Sequence, residues 1–357
     1  MQIKLLLPQR IKMNPTRYIA KQIYLIFSIG LILSACTRNK KIDVSNINVD
    51  VKIERFDHDF DAMRNKPMAL QAAYLQKQYG SFYSDFIERI LQVGSTKDTA
   101  YFKALHEVFA GKAYNDLKHD ADAAFPNMDQ QNASLTEAFK YIKYYYPQKR
   151  LPQVYAYISG FQAQTTVGDG YFGVGIDLFL GADSRFYPSL TNAFPHYLSK
   201  WFTPDNITPR VIEGIAREDM FPENDNDKAL LNKMIYNGKI MYFMDRVLPD
   251  VADSTKIRYT TEQLKWCNEF EGKIWGYFLE QNLLYETDYQ KIQKYLTEAP
   301  FTPGLGEKNE SAPKLAVWTG WQIVRKYMDK HPDVTLPQLM ADKDAQKLLN
   351  ESGYHPK

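Results

Sequence analysis

The chain has 357 residues, 45% of them apolar and 14% aromatic. That is enough to bury the core of one large domain or two small ones, and it excludes a disordered chain. Of the 44 basic residues, Lys4, Arg10, Lys12, Arg17 and Lys21 fall in the first 35 positions, where there is no acid; the remainder carries 39 basic against 42 acidic residues. That net −3 argues against a nucleic-acid partner, which calls for a basic face. The two cysteines, Cys36 and Cys267, are too few for a disulfide scaffold or a Cys-rich zinc site.

The N-terminus reads as a secretion signal. The basic segment ending in Arg17 and Lys21 precedes the apolar run Ile23–Leu33, which has the length of a signal core and falls short of the roughly 20 residues a spanning helix needs. Met13 offers an alternative start, since residues 1–12 add nothing the signal requires. The run ends in Leu33-Ser34-Ala35-Cys36, which resembles the lipobox of bacterial lipoproteins. Small residues suit a signal-peptidase cleft, and the Cys36 thiol takes a diacylglyceryl group; acylation of the new amino terminus adds a further chain. Several chains anchor stably where one is marginal. Residues 1–35 are therefore expected to be signal peptide and 36–48 a lipidated tether, with one folded domain over 49–357. No acidic residue or acidic cluster follows Cys36 directly, so the expected location is the outer membrane, periplasmic face.

In the mature chain, Val49–Phe56 alternates with period two and predicts a first strand. Residues 57–147 are predicted mostly helical, over 57–62, 68–78, 81–93, 99–110 and 133–146. Gln153–Ser159 and Tyr171–Leu180 are β-branched and aromatic, separated by the turn signal Gly168-Asp169-Gly170. Helical spacing returns over 192–202, 208–220, 228–248, 260–284, 312–330 and 336–350, with a Pro/Gly loop at 299–311. The predicted fold is a single α+β domain, predominantly helical, with a small antiparallel sheet. Trp318 and Trp321 stand i, i+3 on one helix face and predict a structural, core-facing helix.

Few motifs carry chemistry. His106-Glu107 begins a metal-binding helix, but Ala110 replaces the second imidazole. Asp57-His58-Asp59-Phe60-Asp61 and Glu223/Asp225/Asp227 space their acids like a calcium loop, yet each lacks the required Gly and the distal Glu. A helix N-terminus and a solvated loop are the expected structures. There is no GxSxG elbow and no Walker A loop, and the glycines of Gly168–Gly175 do not precede a helix, so no phosphate cradle is expected. Cys267, beside Trp266, is expected to be a small buried apolar residue.

The most suggestive constellation is Asp177, His196 and Glu213. A strand, a His-bearing helix and the Glu213-Gly214-Ile215-Ala216 helix together resemble the layout of a zincin with a distal Glu ligand. The His-Glu-x-x-His helix belongs at residues 192–201. There Tyr197 replaces the Glu that activates water, and Lys200 stands where the second His is needed. One His and one Glu fall short of three protein ligands. The expectation is a degenerate zincin-like layout with relic residues Asp177, His196 and Glu213. It has no catalytic residue, no metal and no cofactor, and the enzyme question leans to no. A relic site also predicts that Glu213→Gln leaves folding intact. The alternative is a membrane-tethered zinc metallopeptidase-like hydrolase.

Several stretches resemble the gliding motility lipoprotein GldB family of the Bacteroidetes. They include Val51–Asp57, Tyr141–Pro147, Gly175–Gly181, Met234–Tyr242, Leu248–Val251, Tyr259–Cys267 and Trp318–Arg325. They run in order over nearly all of residues 49–357, behind the lipobox. The resemblance implies a lipid-anchored, non-catalytic periplasmic component of the gliding motility and associated secretion machinery, distantly similar to predicted Zn-dependent proteases. The implied partners are the membrane, through Cys36, and other envelope or motility proteins. Relatives occur in non-gliding members of the phylum, so the family role does not require that the organism glide.

Overall fold

A computed structural model describes residues 41–224, 226–306 and 310–357. The expected signal segment and lipobox, with Cys36, lie outside the described residues, as does Asp225. The compact unit is Val44–Lys357. Val44 is already buried, so the folded body takes in the end of the expected tether.

The architecture is α+β, with helices around one four-stranded sheet. Its strands are β1 (Glu54–Arg55), β2 (Gln153–Tyr157), β3 (Thr165–Gly168) and β4 (Tyr171–Gly175), in spatial order β1-β2-β4-β3. Only β3 and β4 pair antiparallel; β1 with β2 and β2 with β4 are parallel. The antiparallel sheet expected from the sequence is therefore a mixed sheet. The Asp169-Gly170 turn makes the β3–β4 hairpin, with Gly170 at φ +76°. β2 and β4 still run in parallel because β3 returns the chain along the sheet edge before β4 begins.

The first strand is shorter than its period-two pattern predicts. The N–H of Val51 donates to Thr136 Oγ1 (2.9 Å) and that of Ile53 to Asn132 Oδ1 (2.8 Å). Side chains of the Asp129–Tyr145 helix thus take the backbone groups a strand partner would have taken.

Aromatic residues build the N-terminal core. Phe82 lies 4.8 Å from Phe56, 5.0 Å from Tyr155 and 5.1 Å from Tyr171, ring centre to ring centre, joining helix to sheet. The contacts with Phe56 and Tyr171 are edge-on and use the ring quadrupoles as well as the buried area.

The C-terminal half is organised on two long helices, Leu230–Val247 and Leu315–Lys330. Trp318 and Trp321 are buried, so this helix is a core element as its spacing predicts. The expected 260–284 helix is two: Thr261–Glu269, opened by a Thr260/Gln263 capping box, and Glu271–Glu280. Phe270 leaves helical geometry between them (φ −107°, ψ 18°). The 192–202 segment is helical only over His196–Ser199, begun by Pro195. Phe194, Leu198 and Phe202 of this segment pack into a side cluster with Leu178 and Tyr187.

Candidate functional site

Asp177 follows β4 in a short 3₁₀ turn and is fully buried. Its Oδ1 accepts from the Ser159 N–H (3.0 Å), and its Oδ2 accepts from Ser159 Oγ (2.9 Å) and the Phe161 N–H (2.6 Å). Burial pushes this carboxyl above its ordinary value, and the bonds from Ser159 and Phe161 pull the other way. The side chain ties the loop after β2 to the end of β4.

Glu213 sits on the Ile207–Gly214 helix, which widens into a π turn over Ile215–Met220. Arg210 stands three residues before it and Arg217 four after, on the same face. Arg210 Nη1 holds Glu213 Oε2, and Arg217 Nε donates to Oε1 at 3.0 Å. Burial alone would raise the Glu213 carboxyl; Arg210 first, then Arg217, Arg258 and Lys314, outweigh it and hold the group well below the usual carboxylate range. Both oxygens are thus committed to cations, and Glu213 is a structural hub.

His196 is exposed at the start of its short helix. Asp177, His196 and Glu213 do not form a cluster of metal-ligating atoms among the described residues. Nearby, Lys200 is half-buried, and burial lowers its pKa against the pull of Glu262 and Glu298.

A second carboxylate pair adjoins Glu213. Glu298 accepts from Lys314 Nζ at 2.6 Å and pairs with Arg258 Nη2 at 2.9 Å. The backbone of residues 255–258 joins the two pairs. Arg210 Nη2 donates to the Lys256 carbonyl (2.6 Å), and Lys314 Nζ donates to the Ile257 carbonyl (2.7 Å). Arg258 and Lys314 both hold left-handed backbone, with φ +58° and +51°. This conformation is uncommon for residues with a Cβ and concentrates where function or packing over-determines it. Lys314 also explains why the predicted 312–330 helix begins only at Leu315. The Arg-x-x-Glu-x-x-x-Arg spacing of Arg210, Glu213 and Arg217 was a sequence signal for the first pair. Nothing in the sequence signalled the second, whose members lie far apart in the chain.

The Asp57-His58 motif behaves as a helix start, on the Phe56–Asp61 helix. Tertiary structure adds Asp122, so that Asp57, His58 and Asp122 present ligand atoms within 4.8 Å of one another. Arg55 grips both Asp57 oxygens at 2.8 Å, and Lys118 pairs with Asp122. A metal ion would have to displace two cations, so this group forms a salt-bridge cluster. Glu223 pairs with Lys233 at 2.9 Å in an exposed loop. His106 and Glu107 are exposed on their helix. Cys267 is buried, and burial pushes its thiol up, away from the reactive thiolate.

No helix among the described residues is long and apolar enough to cross a membrane. Searches of curated proteins and of solved structures found no match. A family model described as "Gliding motility protein GldB" matches residues 37–356. It spans the sheet, the Glu213 cluster and both long helices, and on that match the chain belongs to the GldB family of gliding motility proteins.

Proposed function

We propose that this chain is a lipid-anchored, non-catalytic component of the gliding motility and linked secretion machinery, held at the periplasmic face of the outer membrane by acylated Cys36. The family membership carries the motility role. The lipobox Leu33-Ser34-Ala35-Cys36 behind a basic, apolar leader supports the anchor. The non-catalytic reading draws on the state of the carboxylates. Glu213 is neutralised by Arg210 and Arg217, and Asp177 is saturated by Ser159 and Phe161. Neither offers the open ligand position or the general base that zinc-dependent hydrolysis requires. Its partners on this reading are the membrane and other envelope proteins of the same machine.

Cys36→Ser tests the anchor. The variant should keep its leader or leave the membrane fraction; unchanged size and membrane association would refute lipidation. Metal analysis of the purified protein tests the non-catalytic part. Stoichiometric zinc, together with a peptidase activity abolished by Glu213→Gln in a chain that still folds, would replace this reading with the metallopeptidase one.

A further inference from the structure

Among the described residues, the charge cluster around Glu213 and Glu298 is unbalanced. Arg210, Arg217, Arg258 and Lys314 bring four cations to two carboxylates. Arg210 and Lys314 are buried, at 6% and 7% exposure. Concentrating unmatched positive charge away from water is costly unless a counter-charge arrives. The hydrogen-bond count agrees. Among the described residues, Arg210 Nε and Arg258 Nε are both buried with no partner, although buried donors are almost always satisfied. Arg258, which closes the Asp253–Ile257 helix, and Lys314, which precedes the Leu315–Lys330 helix, both hold left-handed backbone, and these two helix ends bring two further cations to the cluster. The side chains of Arg217, Arg258 and Glu298 remain 25%, 20% and 24% exposed, leaving the cluster a face to solvent.

We propose that this cluster is a binding site for an oxyanion, a carboxylate or phosphate group, which supplies the missing counter-charge between Arg210, Arg217, Arg258 and Lys314. Guanidinium forks suit either group, since both present paired oxygens to parallel N–H donors. The family role does not assign such a site, and the site does not depend on how the chain is anchored.

The test uses the full-length protein in detergent at pH 7. Melting temperature is followed against inorganic phosphate and, separately, sodium acetate, each compared with sodium chloride at equal ionic strength. Binding to the folded state alone gives a saturable rise. Phosphate, acetate or both should produce it, and the more effective anion identifies the group. Arg258→Gln should weaken the apparent affinity about tenfold, the size of one charge-assisted hydrogen bond. Arg89→Gln, an exposed cation elsewhere, should leave it unchanged. If Arg258→Gln does not fold, Arg217→Lys, which keeps the charge and loses the fork, should show the same weakening. No saturable rise with either anion, or an unaltered response in the variant that folds, overturns the proposal.

Discussion

Gly238 and Gly320 face each other where the two long C-terminal helices cross. A Cβ on Gly238 would run into the Gly320 carbonyl, and one on Gly320 into the Met234 carbonyl. The backbones touch directly, and both positions are buried.

Gly320→Ala should therefore destabilise the fold, although alanine is the better helix former. Overpacking of this kind costs about 1–3 kcal/mol, against a gain of about 1 kcal/mol from helix propensity. Here the clash is with backbone, which cannot swing aside. Thermal unfolding should show a drop of several degrees, and more for Gly320→Val; an alanine variant melting with the parent would mean the helices can part freely.

Trp321 is anchored on one side by its indole N–H donating to Asp245 Oδ2 (2.8 Å) and on the other by Arg325, whose guanidinium lies 3.8 Å from the ring centre. Arg325 in turn bridges Asp245 and Asp253. Trp321→Ala should cost about 3–5 kcal/mol, the range for a truncated buried indole. Trp321→Phe keeps most of the packing and loses the hydrogen bond, so it should cost distinctly less. Chemical denaturation of the two variants checks the order. Equal losses would assign the role to the Asp245 bond alone.

Glu213→Gln removes the charge that two guanidiniums share. Breaking a buried pair from one side costs about 3–5 kcal/mol, because the uncompensated cation stays behind. The expectation from sequence that this change leaves folding intact thus meets a structural reason to the contrary. The pH dependence has a definite sign. The folded carboxyl lies below its unfolded value of about 4.3, so its stabilisation is fully present above that pH and is lost as pH falls towards the folded value. Glu213→Gln should be less stable than the parent at pH 7, and the gap should narrow on acidification below pH ~4. A gap constant down to pH ~3 would contradict the paired, ionised state of Glu213.

Asp177→Ala strips the acceptor from the Ser159 and Phe161 N–H groups at once. Each buried donor left unsatisfied costs about 1–3 kcal/mol. The loop after β2 should loosen first, so hydrogen exchange at Phe161 should rise more than global stability falls. Exchange unchanged at Phe161 would show that other bonds hold the loop.

Much of this protein is determined by local sequence. The expectation of a leader and lipobox rests on charge, apolar length and the cysteine that ends the run. Helices over 68–79 and 230–247 follow from apolar periodicity, and Thr260 with Gln263 marks a helix start. The Asp-Gly turn marks the hairpin, and the i, i+3 tryptophans mark a buried helix face. These signals lie within a turn or two of helix or a few residues of strand, where propensity and periodicity act. Strand direction does not. The parallel pairing of β2 with β4 depends on where the intervening chain returns, which no alternation pattern encodes. The start of β1 was settled by Thr136 and Asn132, residues roughly 80 positions away that take the backbone N–H groups of Val51 and Ile53 just before it. The same limit governs the site. Glu213 reads as a metal ligand when only its Gly-Ile-Ala neighbours are considered, and as a hub once Arg210 and Arg217 are placed on its face. Arg258, Glu298 and Lys314 join that hub only through folding, because a charge cluster is defined by separation in space, and Coulomb energy takes no account of separation along the chain.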